Sequence, residues 1–118
     1  MKRLILGSRG SKLALWQADY VASQLSGIVP DLSVEVKVIK TKGDKILDVA
    51  LSRIGDKGLF TREIEKELLD GSIDMAIHSM KDLPSQLSSG LCIAAVLERE
   101  NPGDVLISRQ DYKFYDLP

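Results

Sequence analysis

Leu4-Ile5-Leu6-Gly7-Ser8-Arg9-Gly10-Ser11 is a short apolar run closed by glycine and followed by a polar turn, and its reading decides the fold. Leu4 to Leu6 reads as a buried strand, Ser8-Arg9-Gly10 turns the chain, and Ser11 suits a helix N-cap. Leu15, Ala18, Val21, Ala22 and Leu25 then recur at helical spacing. Gly27 and Pro30 are expected to end that helix. From Ser33 to Ile39 the pattern switches to alternation, with Val34, Val36 and Val38 set against Glu35 and Lys37. A strand, a crossover helix and a second strand make a βαβ unit, so the two strands should be parallel. The fold class that follows is α/β, a mostly parallel open sheet flanked by helices.

Outward from this unit, residues 41–58 are rich in glycine and cations and long for a structureless connection, which marks them as functional or mobile. A helix is expected from Thr61 to Asp70, with Ile64, Leu68 and Leu69 apolar and Gly71 as its stop. Asp74 to Ile77 reads as a third strand. Leu91 to Leu97 is an unbroken apolar run, expected to be a central strand buried on both faces. Glu98-Arg99-Glu100-Asn101-Pro102-Gly103 is charged and ends in Pro-Gly, the best hinge in the sequence. Val105 to Ser108 reads as one more strand. Residues 1–97 therefore form one α/β domain, 98–103 a hinge, and 104–118 the beginning of a second domain.

Composition narrows the function classes. With 118 residues, 44% hydrophobic and 28% charged, the chain can build one core. Sixteen basic and 17 acidic residues give a net charge of −1, which supports neither a nucleic-acid partner nor a membrane surface. Cys92 is the one cysteine and His78 the one histidine, so no disulfide and no Cys- or His-based metal site is expected. Leu4 to Leu6 is too short for a secretory core, and no apolar run reaches the roughly 18 residues of a membrane span. A cytoplasmic location is expected. Cys92, between Leu91 and Ile93, reads as a buried structural thiol, and Trp16 as a core residue.

Ligands of open parallel sheets bind outside the carboxyl ends of the strands. That rule collects Ser8 to Ser11, Thr41 to Asp44, Ser79 to Asp82 and Glu98-Arg99 onto one rim. Two helix N-termini, near Ser11 and near Thr61, should face the same rim with their unpaired N–H groups. Together with Arg9, Lys42, Arg53, Lys57 and Lys81 they make a receptor for a carboxylate or phosphate. Each cation could equally be solvated. His78 adjoins an apolar strand and reads as a core or rim residue rather than a base. Asp82 follows a strand directly, lies beside Lys81 and precedes Leu83-Pro84, which restricts the backbone. A carboxylate about 4 Å from a cation gains about 4 kcal/mol at an effective dielectric near 20, before desolvation. Such an acid can hold a positive N–H group or assist proton transfer. It can also be a local Lys–Asp ion pair, and spacing does not separate these roles.

Four segments carry a resemblance. Gly7 to Ala18, Thr41 to Asp44, Gly55 to Thr61, and above all Ala76-Ile77-His78-Ser79-Met80-Lys81-Asp82-Leu83-Pro84 resemble the porphobilinogen deaminase (hydroxymethylbilane synthase) family. The resemblance implies a transferase of tetrapyrrole, porphyrin and heme biosynthesis. It would join four porphobilinogen units head to tail, releasing ammonia at each step. The resemblance also implies a dipyrromethane cofactor held through a thioether to a cysteine. It carries the catalytic carboxylate to Asp82, which would hydrogen-bond pyrrole N–H groups and stabilise the positive azafulvene as ammonia leaves. Arg9, Ser11, Lys57, Ser79 and Lys81 match positions that bind the cofactor; Arg9 and Arg53 match positions that bind substrate carboxylates. Arg53 stands where a Lys is common, and Lys12 where a Pro is frequent.

The family has three domains, and its cofactor cysteine lies in the third. Cys92 does not match it, so no covalent cofactor is expected on this chain. The chain is expected to be an N-terminal piece, inactive alone. The family's first domain resembles one lobe of a type-2 periplasmic binding protein, whose returning strand is missing here. The sheet should then be incomplete, with an exposed edge that favours self-association, and the segment after Gly103 should pack back on its own domain or on a neighbouring chain. Two other readings stand beside the enzyme: a non-enzymatic half-cleft that binds a small anion, and a subunit completed in trans.

Overall fold

The computed structural model describes residues 2–46, 50, 58–111 and 113–116. Strand β1 (Lys2–Ser8) leads to helix α1 (Lys12–Ile28), strand β2 (Leu32–Val38) and a four-residue helix α2 (Lys42–Lys45). Helix α3 (Arg62–Leu69) and the short strand β3 (Met75–Ala76) follow. The sheet order is β2-β1-β3, and both pairings are parallel. The register runs from Lys2 opposite Leu32 to Ser8 opposite Val38, and β3 places Met75 and Ala76 opposite Leu6 and Gly7. This is the expected α/β class with the expected βαβ unit.

Local chemistry explains the boundaries. Ser11, with extended backbone, caps α1 by accepting from the Ala14 N–H at 3.4 Å. Helix α1 continues through Gly27 to Ile28, two residues from Pro30. On it Ala18 is fully buried, while Trp16 and Tyr20 are 57% and 43% exposed and stack with ring centroids 5.6 Å apart. Trp16 is therefore not core: one residue turns a helix by about 100°, which carries it off the stripe of Leu15 and Ala18. Beyond α3, Gly71 takes φ +78°, and the Gly71 and Ser72 N–H groups bond back to Leu68 and Glu67 at 3.2 and 2.9 Å. That turn feeds Ile73 into the core. Asp74 and Ile77 extend the contact of β3, since their N–H groups donate to Ile5 and Gly7 at 2.9 and 3.0 Å.

The core is small. Ile39, Ile64 and Ile73 are at most 6% exposed, with Ile5, Leu68 and Ala76 packed against them. Leu6 is fully buried at the centre of the sheet.

Several expectations fail at the C-terminal end. Leu91 to Leu97 forms no strand; Ile93, Val96 and Leu97 are 48%, 70% and 50% exposed, and Cys92 is exposed rather than buried. An apolar run needs hydrogen-bonding neighbours to become a central strand. Residues 77–90 hold only a three-residue 3-10 turn, not the crossover helix that returns a chain to a parallel sheet. Val105 to Ser108 is not a strand either, and Val105 and Ile107 are 83% and 90% exposed, so these four residues do not pack back on their own domain. Among the described residues, no helix is long and apolar enough to cross a membrane.

Candidate active site

The carboxyl ends of all three strands carry polar segments to one rim, and the chemistry gathers around Arg9, the residue after β1. Its Nε–H reaches both Asp44 oxygens at 3.1 Å, and Nη2 donates to Asp44 Oδ1 at 2.6 Å. The remaining nitrogen, Nη1, stands 3.7 Å from Asp82 Oδ2. The Phe60 ring covers the guanidinium at 4.0 Å, a cation–π contact that also excludes water. Arg9, Asp44 and Asp82 side chains are 19%, 25% and 20% exposed.

The partners of Arg9 are themselves held. Thr41 is fully buried; its hydroxyl donates to Asp44 Oδ2 at 2.7 Å and accepts from the Asp44 N–H at 3.3 Å. This is an N-cap at the start of α2, inside a stretch the sequence suggested was loop. Gly43 is required by the next contact. A Cβ there would sit 2.4 Å from Phe60 Cε1, so only glycine lets the ring lie against α2 and reach Arg9. The Gly43 N–H donates to the Leu59 carbonyl at 2.8 Å, which fastens the two segments together.

Asp82 closes a 3-10 turn, Met80–Asp82, its N–H donating to the Ser79 carbonyl at 3.0 Å. The turn aims the carboxylate at Arg9, and no ion pair joins it to the adjacent Lys81. The local Lys–Asp pair weighed from sequence is thus replaced by a long-range contact. Among the described residues, no hydrogen bond reaches the Asp82 carboxylate. The Ser79 hydroxyl accepts from Gln17 Nε2 at 3.1 Å, tying the turn to α1.

These groups line a cleft of about 250 Å³, with Leu13, Phe60 and Ile77 as apolar wall and Arg9, His78, Ser79, Lys81 and Asp82 as polar rim. Ser11 caps α1 and is not in the lining. Arg53 and Lys57 lie outside the described residues. A larger depression of about 430 Å³, between β2 and α3, holds none of the expected site residues. No cluster of three metal-ligating side chains occurs among the described residues. The sequence placed Asp44 on the rim without a role and gave Phe60 none; the Thr-x-x-Asp spacing at 41–44 was the available signal for the first.

Titration follows from this packing. The hydrogen bonds from Arg9, opposed by burial and aided by Thr41, hold the Asp44 carboxyl below its ordinary range, and Arg9 is raised in turn. Burial pushes His78 below the usual imidazole value, against the pull of Asp82 and Glu65. Asp44 has a folded pKa below its unfolded value of about 4, so its stabilisation is present above that pH and lost as pH falls through the folded value. We expect the stability gap between the parent and Asp44→Asn, measured by urea denaturation, to shrink steadily from pH 5 to pH 3. A gap independent of pH would show that the Arg9–Asp44 pair contributes nothing through charge.

Residues 4–118 match the family described as "Porphobilinogen deaminase, dipyromethane cofactor binding domain". The chain is 72% identical over 118 residues to the porphobilinogen deaminase of Syntrophomonas wolfei, covering 100% of this chain and 39% of that protein. It is 59% identical over 117 residues to that of Carboxydothermus hydrogenoformans, covering 99% and 38%. Against the Clostridioides difficile protein it is 55% identical over 116 residues, covering 98% and 38%. The chain thus spans about two fifths of the length of these curated relatives. With that match running from the first strand to the last residue, the chain belongs to the porphobilinogen deaminase family.

Proposed function

We propose that the full-length protein works in the cytoplasm as a transferase of tetrapyrrole synthesis, condensing four porphobilinogen units head to tail into hydroxymethylbilane with release of ammonia. The residues described here would form one wall of its site. The observation that carries this reading is the Asp82 carboxylate, charge-balanced by Arg9 at 3.7 Å, open to the cleft and without a hydrogen bond among the described residues.

The chemistry of the lining fits a pyrrole bearing carboxylates. Leu13, Phe60 and Ile77 suit the ring faces, and Lys81 suits an acetate or propionate group. Asp82 accepts pyrrole N–H groups and offsets the positive charge that grows as ammonia departs. Ser79, held by Gln17, and Arg9, held by Asp44, fix the position of that carboxylate. We also assign Ser11, Lys57 and Arg53 to cofactor and substrate carboxylates, on the family resemblance alone. Dipyrromethane, when bound, supplies the pyrrole end to which the first unit is joined. Asp82, Lys81 and the apolar wall are the residues here that would hold it. Cys92 is exposed and outside the lining, which supports a thioether at another cysteine of the full-length protein. The direct test is porphobilinogen consumption and ammonia release by that protein, with peptide mapping of the cofactor mass. Absence of turnover, or cofactor mass on the Cys92 peptide, would contradict the assignment.

The open edge of β3 and the exposed Ile93, Val96 and Leu97 support self-association of the 118-residue chain through strand addition. Sedimentation should show dimers or larger species that a Val96→Lys substitution disperses. A monomer at high concentration would count against it.

A further inference from the structure

The Arg9 cluster holds more than a binding residue. We propose that Asp44 is a positioning residue for Asp82: by taking two guanidinium nitrogens of Arg9 it holds the third 3.7 Å from Asp82, near enough to balance charge and too far to occupy its lone pairs. The inference rests on the functional reading of Asp82 given above.

Its basis is a competition for one cation. An arginine facing a single carboxylate closes to a bidentate pair with N···O distances near 2.8 Å. Asp44 has captured that geometry, through Nε and Nη2. The Asp44 carboxylate cannot swing away, because the buried Thr41 hydroxyl donates to its Oδ2 at 2.7 Å. The guanidinium cannot rotate in its plane without losing those bonds, nor tilt without leaving the Phe60 ring at 4.0 Å. A separation of 3.7 Å lies beyond hydrogen-bond range, so Asp82 feels the charge but keeps its oxygens for an N–H donor in the cleft. Among the described residues, the other charged or titratable groups beside Asp82 in the cleft lining are His78 and Lys81, from its own segment.

Without the Asp44 charge, Arg9 should close on Asp82. In full-length protein carrying Asp44→Asn, we expect a crystal structure to show an Arg9 nitrogen closed to within hydrogen-bond range of an Asp82 oxygen. The value of kcat should fall about tenfold or more while KM stays within about twofold. Asp44→Glu keeps the anion and should return both readouts toward the parent. If Asp44→Asn does not fold, Thr41→Val removes the hydroxyl that steadies Asp44 and should bring Arg9 toward Asp82 by less. An Arg9–Asp82 separation unchanged in these variants, or Asp44→Glu as impaired as Asp44→Asn, would overturn the proposal. A shortened Arg9–Asp82 contact alongside normal turnover in Asp82→Asn would overturn the role of Asp82 and leave the positioning by Asp44 standing.

Discussion

Asp82→Asn is expected to lower kcat for porphobilinogen consumption by the full-length protein by roughly 10²- to 10⁴-fold, with a smaller change in KM. The substitution keeps size and shape and removes the charge. The turn that carries residue 82 depends on backbone bonds, from the Asp82 N–H to Ser79 and from the Leu83 N–H to Met80 at 3.1 Å, so the fold should persist. Arg9 also remains anchored by Asp44. What is lost is the anion that faces the cleft, in a place where a neutral amide offers one acceptor and an opposing donor. A loss confined to kcat would mark an interaction made in the transition state. Near-normal turnover by Asp82→Asn would refute the assigned role outright.

Ile64→Ala should destabilise the protein by about 2–5 kcal/mol, measured as a shift in the urea midpoint at constant slope. Ile64 is fully buried on α3 and belongs to the cluster with Ile39 and Ile73. Few residues share that burden, since the buried apolar set among the described residues is Leu6, Ala18, Ile39, Ile64 and Ile73. A domain of ordinary stability has about 5–15 kcal/mol in total, so this one side chain is a large fraction of it. The loss should also loosen the rim, because Glu63 beside Ile64 accepts from the Lys42 N–H at 2.9 Å and so ties α3 to α2. A change below about 1 kcal/mol would show that α3 is not packed as a core helix.

Much of this architecture was legible in local pattern. The period change between Leu25 and Ser33, the Ser11 cap and the glycine after α3 each report a backbone requirement that nearby residues meet by themselves. The strand-end rule then placed Arg9, Ser79, Lys81 and Asp82 on one rim, where the structure has them. Trp16 and Cys92 were misjudged for a shared reason. Apolar character says that a side chain can be buried, not that a surface exists to bury it. Leu91 to Leu97 has the composition of a central strand and no neighbouring strand to make it one.

The sequence by itself determined the βαβ order and the parallel pairing, because these depend on periodicity and handedness read along the chain, and a nine-residue segment offered Asp82 as the candidate acid. Only the tertiary structure decided what that acid faces. Asp82 lies one residue from Lys81 but meets Arg9, 73 positions away, because the 3-10 turn points its carboxylate across the rim and not along it. Asp44, Thr41 and Phe60 enter the site in the same way. Three parallel strands end at one level, and the segments leaving them have no room to avoid each other.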